Sequence, residues 1–110
     1  MRYADVLLMN AEAKVRLSQN GDATYNLVRT RAGMPTQTGV TLDQIIDERR
    51  MEFAGEWGER YNDLVRTGKA ASVLQANANK NGWTAEKTYF PLPFNQLDQI
   101  PALKNAPKND

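Results

Sequence analysis

Cysteine and histidine are both absent from the 110 residues of this chain. Without cysteine there is no disulfide framework, no thiolate nucleophile and no sulfur-ligated zinc or iron–sulfur centre. Without histidine the chain lacks the usual general base near neutral pH and the commonest metal ligand. Only carboxylates, lysines, tyrosines and hydroxyls are left for catalysis, so no catalytic residue, metal site or cofactor is expected. No apolar run approaches the ~20 residues that span a bilayer. No signal peptide opens the chain either, because Arg2-Tyr3-Ala4-Asp5 begins directly in a helical pattern. Strong charge of one sign is missing as well. Lys+Arg number 14 against 13 Asp+Glu, a net charge of +1, and the basic residues are scattered among acids. Nucleic acid is therefore not an expected partner.

What remains is an ordinary globular composition, 41% hydrophobic and 25% charged, which predicts one domain over 1–110 with a modest core. Its first segment, 1–40, reads as a helical hairpin and loop. In Tyr3–Ser18, residues Ala4, Leu7, Leu8, Ala11 and Val15 recur at three- and four-residue steps, one face of a helix. Asn20-Gly21 is the expected stop, and Asp22 the expected N-cap of a second helix over Ala23–Ala32. Leu27 and Val28 would anchor that helix, with Tyr25 half-buried and Gly33 as its left-handed cap. Met34–Val40 is a loop marked by Pro35 and Gly39.

The second segment, 41–78, carries charged helices. Thr41 with Gln44 three residues on has the form of a capping box. Leu42, Ile45, Ile46, Arg49 and Phe53 share a face of the helix that follows. Glu48, Glu52 and Glu56 stand four apart, and like charges at that spacing oppose a helix unless cations lie between them. Arg49, Arg60 and Arg66, with Asp63, complete an expected structural ion network. Arginine within an apolar stripe predicts a paired, partly buried guanidinium. Gly55 and Gly58 predict a break near Glu56-Trp57-Gly58. A fourth helix should then run from Glu59 to about Thr67, with Tyr61, Leu64 and Val65 as its apolar face and Gly68 as its end. A short helix over Lys69–Asn77 would close the segment. In the third segment, 79–110, Tyr89-Phe90-Pro91-Leu92-Pro93-Phe94 must be extended, and Asn95–Ile100 should form a single turn. The apolar residues of this tail (Phe90, Leu92, Phe94, Leu97, Ile100 and Leu103) predict that it packs back on the helices. The fold class is thus all-α: helical hairpins of TPR-like character with an irregular, proline-containing C-terminal wrap.

Four blocks in order resemble the C-terminal region of the SusD/RagB family. They are RYADVLLMNAEA (Arg2–Ala13), NLVRTRAGM (Asn26–Met34), LDQIIDERRMEFAGEWGERYNDLVRTG (Leu42–Gly68) and FPLPFNQLDQIPAL (Phe90–Leu103). Two positions depart from the family pattern: Thr67 stands where tryptophan is frequent, and Asn105-Ala106-Pro107-Lys108 replaces an Asn-Pro-Gly-aromatic close. The resemblance implies the last part of a glycan- or oligosaccharide-binding lipoprotein of nutrient uptake. Such a parent would face outward from the outer membrane, anchored by lipid upstream, and act with a SusC-like TonB-dependent transporter. Met1 followed at once by a helix likewise reads as a piece of a longer chain.

Each motif also has a second reading. Glu52 and Glu56 could form a glycosidase pair, but interleaved arginines would hold both ionised, whereas a general acid needs a raised pKa. Arg29 and Arg31 could bind an anionic ligand, or complement a helix C-terminus and pair with acids of the third helix. Trp57 is expected to pack on Tyr61, four residues on. Trp83, in a polar loop, is the one candidate for ligand stacking, the main glycan site being expected upstream. The alternative function is a stand-alone TPR-like protein-interaction module. A piece cut from a larger protein should also expose apolar surface and self-associate.

Overall fold

Periodicity sets the first helix. A computed structural model describes residues 1–56, 59–76, 82–88, 92–100 and 102, and the regular structure among them is all helical. Helix α1 runs Tyr3–Arg16. It buries Ala4, Leu8 and Ala11, and Leu7 and Val15 pack against the same cluster. The expected stop is corrected: Ser18, not Asn20-Gly21, turns left-handed with φ 58°. Its N–H donates to the Val15 carbonyl at 3.0 Å, and that of Gln19 to Lys14 at 2.8 Å. Those two bonds satisfy carbonyls that the helix end would otherwise leave orphaned.

Gly21 is needed for room. A Cβ there would lie 2.8 Å from the Ala11 carbonyl oxygen and 3.1 Å from Val15 Cγ2. Its φ of −96° is open to any residue, so the constraint is the close approach of two backbones. Helix α2 (Asp22–Arg31) starts at that contact. Asp22 is not the N-cap. Its carboxylate reaches across to the following loop and accepts from the N–H groups of Gly39 and Val40, each at 2.9 Å. Tyr25 and Val28, three apart, are both buried (2% and 1% exposed), which turns Leu27 outward at 55%. Gly33, φ +70°, ends the helix as expected.

Helix α3 (Leu42–Glu52) opens on Thr41, and both halves of the capping box form. Ile45, Ile46 and Arg49 are its buried residues, with Phe53 buried just past the end. The helix stops before Gly55, which takes φ +81°; Trp57 and Gly58 lie outside the described residues. Helix α4 (Glu59–Arg66) buries Asp63 and Leu64, and Gly68 follows with φ +70°. Helix α1 packs on α2 and α3, and α3 on α4. Helices α1 to α3 and the residues beside them supply the core Ala4, Leu8, Ala11, Tyr25, Val28, Val40, Ile45 and Phe53.

Contacts divide the chain into two compact units, Met1–Arg66 and Thr67–Asp110, with the boundary inside the 41–78 segment. In the second unit, α5 (Ala70–Gln75) buries Ala70 and Leu74, one helical turn apart. A short 3-10 helix covers Ala85–Thr88, and α6 covers Phe94–Gln99. The expected inward packing of the tail does not hold for three of its described residues. Leu92, Phe94 and Ile100 are 50%, 74% and 47% exposed. A helix of six residues offers little inward surface, and Leu97 alone among its apolar residues is half-buried. Tyr89, Phe90, Pro91 and Leu103 lie outside the described residues.

Candidate functional site

Apart from the exposed Asp47–Arg50 pair, the ion pairs among the described residues of the first unit gather into three sets. The deepest centres on Arg49. Its guanidinium contacts Asp63 at 2.9 Å, Asp5 at 2.7 Å and Glu59 at 3.5 Å. Arg49 and Asp63 keep only 4% and 3% of their side chains exposed. The set continues from Asp63 to Arg66, from Arg66 to both oxygens of Glu12, and from Glu12 to Arg16 at 2.9 Å. Carboxylates of α1 are thereby tied to arginines of α3 and α4. Burying charge is tolerable only when each ion is paired and hydrogen-bonded, and here each oxygen of Asp63 meets a guanidinium.

The second set is shallower. Arg2 donates to Glu52 at 2.9 Å and to Glu56 at 3.1 Å, and Arg31 also bonds Glu52. Arg2 and Arg49 both lie over the Phe53 ring, at 5.0 and 5.3 Å from its centre, so cation–π attraction links the two sets. In the third set Arg29 bonds Glu48 at 2.7 Å, and the Tyr25 hydroxyl donates to Gln37 at 3.1 Å and lies 3.4 Å from Glu48. Here α2 also grips the loop that leads to α3. Asn26 and Gln37 exchange bonds at 2.7 and 2.8 Å, and Arg29 Nε donates to the Pro35 carbonyl at 2.7 Å.

Protonation follows from these contacts. The Arg66 hydrogen bond holds the Glu12 carboxyl below its usual range, outweighing burial. Bonding to Glu12, and then to Asp63, pushes Arg66 further up. For Arg49 burial is the largest influence and opposes the charge, yet Asp5 and Asp63 together raise it. The backbone N–H of Val40, then that of Gly39, lowers Asp22. Burial, followed by the nearby Glu48 charge, raises the Tyr25 phenol.

The structure brings Arg49, Asp63 and Arg66 together, and it disperses the rest of the expected network. Glu48 faces Arg29, while Glu52 and Glu56 face Arg2. Arg60 makes no ion pair with a described residue, and its buried Nη1 has no partner among them. Asp5 and Glu12, which sequence reading left out, bring partners from α1 to Arg49 and Arg66. They lie 44 and 54 residues from their arginines, beyond any helical spacing. The available signal was a pair of acids seven residues apart along one edge of the apolar face of α1. Of the two readings of Arg29 and Arg31, both pair with acids of α3.

Trp83 is half-buried, and its Nε1 is buried without a partner among the described residues. A hollow of about 80 Å³ is lined by Met1, Arg2, Asp5, Phe53, Glu56 and Glu59, well below the ~300–1,000 Å³ of typical ligand pockets. Among the described residues no group of three acids could hold a metal ion, and no helix is long and apolar enough to cross a membrane.

A family model described as the SusD family matches residues 1–108, and the chain belongs to that family. A SusD-like protein of Formosa agariphila is 36% identical over 122 residues, covering 96% of this chain and 24% of its own length. Another from Bacteroides ovatus is 37% identical over 93 residues, covering 80% of this chain and 17% of its own. Two solved structures are similar. Surface glycan-binding protein A from Bacteroides thetaiotaomicron, in complex with laminarihexaose, has a TM-score of 0.77 at 46% identity, over 89% of this chain and 22% of that one. Its counterpart from Bacteroides uniformis has a TM-score of 0.82 at 39% identity, over 92% and 25%. The chain thus spans no more than 25% of the length of these relatives.

Proposed function

We propose that this chain is the C-terminal helical part of a SusD-type glycan-binding protein, one that holds oligosaccharide without chemical change. The observation that carries the reading is family membership, together with 46% identity to a surface glycan-binding protein solved with laminarihexaose. The parent would work at the cell surface, lipid-anchored to the outer membrane, and pass its glycan to a TonB-dependent transporter. The ion network is the scaffold of this part and not a catalytic pair. Glu52 and Glu56 share Arg2, and the hollow beside them is too small for a sugar ring. The same family membership favours this reading over a stand-alone interaction module.

The principal glycan contacts would come from other parts of the parent, with Trp83 contributing at most one stacked ring. One such ring adds about 1–3 kcal/mol in the comparable case of base stacking, and millimolar binding already needs about 4 kcal/mol. Calorimetry with laminarin-, starch- and xylan-derived oligosaccharides is the test. The full-length protein should bind one class without releasing shorter sugars, and this chain alone should bind millimolar or weaker. Hydrolysis by the full-length protein, or micromolar binding by this chain that vanishes in Trp83→Ala, would overturn the assignment.

A further inference from the structure

Asn20-Gly21 does not end α1, and the chemistry of that pair points elsewhere. Asparagine cyclises most readily when glycine follows it, because a residue without Cβ leaves its amide nitrogen open to the asparagine side chain. Several features of the fold favour that step here. Asn20 is exposed, so solvent reaches its amide carbon. The N–H of Asp22 donates to Asn20 Oδ1 at 2.8 Å, which closes the side chain over the Gly21 peptide in an Asx turn. This bond draws electrons from the carbonyl carbon, and its donor is already aimed at the oxygen that turns negative when the carbon is attacked. The Gly21 N–H makes no hydrogen bond among the described residues, so the attacking nitrogen has no bond to give up. Gly21 is also wedged against Ala11 and Val15. Ring closure therefore asks for movement of an exposed side chain toward a nitrogen that is held in place.

We propose that Asn20 is a site of spontaneous covalent modification in the folded protein. The Gly21 nitrogen bonds to Asn20 Cγ and gives up its proton to hydroxide, while the Cγ–Nδ2 bond breaks and Nδ2 leaves as ammonia. Water then opens the cyclic imide at either carbonyl. Attack at Cγ leaves aspartate at position 20. Attack at the main-chain carbonyl leaves isoaspartate, whose main chain runs through Cβ and Cγ. Both products place a new negative charge close to Asp22, whose carboxylate anchors Gly39 and Val40. Isoaspartate also lengthens the α1–α2 link by a methylene group. The extra carbon falls directly before Gly21, where the two backbones meet too closely for a Cβ. A longer link cannot keep both that contact and the Asp22 grip on the loop in register, so the modification loosens the corner between α1 and α2.

The test is peptide mapping of the full-length protein held at mildly alkaline pH, folded in buffer and unfolded in guanidinium chloride. Asn81-Gly82, the same dipeptide, supplies the intrinsic rate in the unfolded chain. The peptide carrying Asn20 should gain the mass of an amide-to-acid change at least as fast in the folded protein as in the unfolded one, and divide into aspartyl and isoaspartyl forms. Conversion in denaturant with Asn20 intact in the folded protein would mean that the fold protects the site, and it overturns the proposal. Asn20→Gln should end the change, because the longer side chain must close a less favourable ring. A mass gain that persists in the same peptide of that variant places the chemistry on another residue and overturns the proposal too. Aged wild-type protein should unfold at lower denaturant concentration than fresh protein, whereas aged and fresh Asn20→Gln should coincide. An unchanged midpoint after full conversion would overturn the loosening of the corner.

Discussion

The two units of this chain are similar in apolar fraction and use it in different ways. In Met1–Arg66 the apolar residues converge on one cluster, and a partly buried network of arginines and acids ties its helices across 44 and 54 residues of sequence. In Thr67–Asp110 the described residues bury Ala70 and Leu74 yet leave Leu92, Phe94 and Ile100 open to solvent. Hydrophobicity alone therefore does not make a core. Helices long enough to present a whole face are also needed, together with polar cross-links that fix their order. Helices α1 to α3 have 10 to 14 residues, whereas α5 and α6 have six each.

The contrast breaks most sharply at Arg49. Removing one partner of a buried ion pair typically costs about 3–5 kcal/mol, because the other charge is left uncompensated. Arg49→Ala would leave Asp5 and one oxygen of Asp63, a side chain 3% exposed, without their guanidinium, and urea unfolding should register a loss in that range. A loss below about 0.5 kcal/mol, the level of an exposed pair, would reduce the network to surface charge. Gly21→Val is expected to come next. Its added carbons would press on the Ala11 carbonyl and Val15, and overpacking costs about 1–3 kcal/mol. An unchanged unfolding midpoint would show that α1 and α2 can separate freely at their crossing. The smallest effect belongs to the second unit. Phe94→Ser, at a side chain 74% exposed, should shift stability by less than about 0.5 kcal/mol. A larger loss would mean that Phe94 packs against something in solution, and the difference between the units would narrow.

Much of the fold was legible because helices announce themselves locally. The apolar face of α1, the capping box at Thr41 and the glycine ends at Gly33 and Gly68 all lie within a few residues of what they control. Asp22 shows the limit of such reading. Its type and position both suit an N-cap, yet its oxygens take the N–H groups of residues 17 and 18 positions away. Ser18 shows another, since Asn or Gly is the usual choice for a left-handed residue and a glycine stood three places on. The ion network was legible as a need for pairing and not as a set of pairs. Spacing in a helix names neighbours on one face, and it carries no information about Asp5 and Glu12, which reach Arg49 and Arg66 only once α1 has docked.

The loop between α2 and α3 carries one more lesson. Asp22, Asn26 and Arg29, at successive turns of α2, hold it by its main chain at Gly39, Val40, Gln37 and Pro35. A grip on amides and carbonyls is blind to the side chains that ride on them. Thr36 and Thr38, both exposed, can therefore change identity while the path of the loop stays fixed. In effect α2 acts as a receptor whose peptide is covalently attached. The shape of this corner is written in the helix, which leaves the outward letters of the loop free to vary.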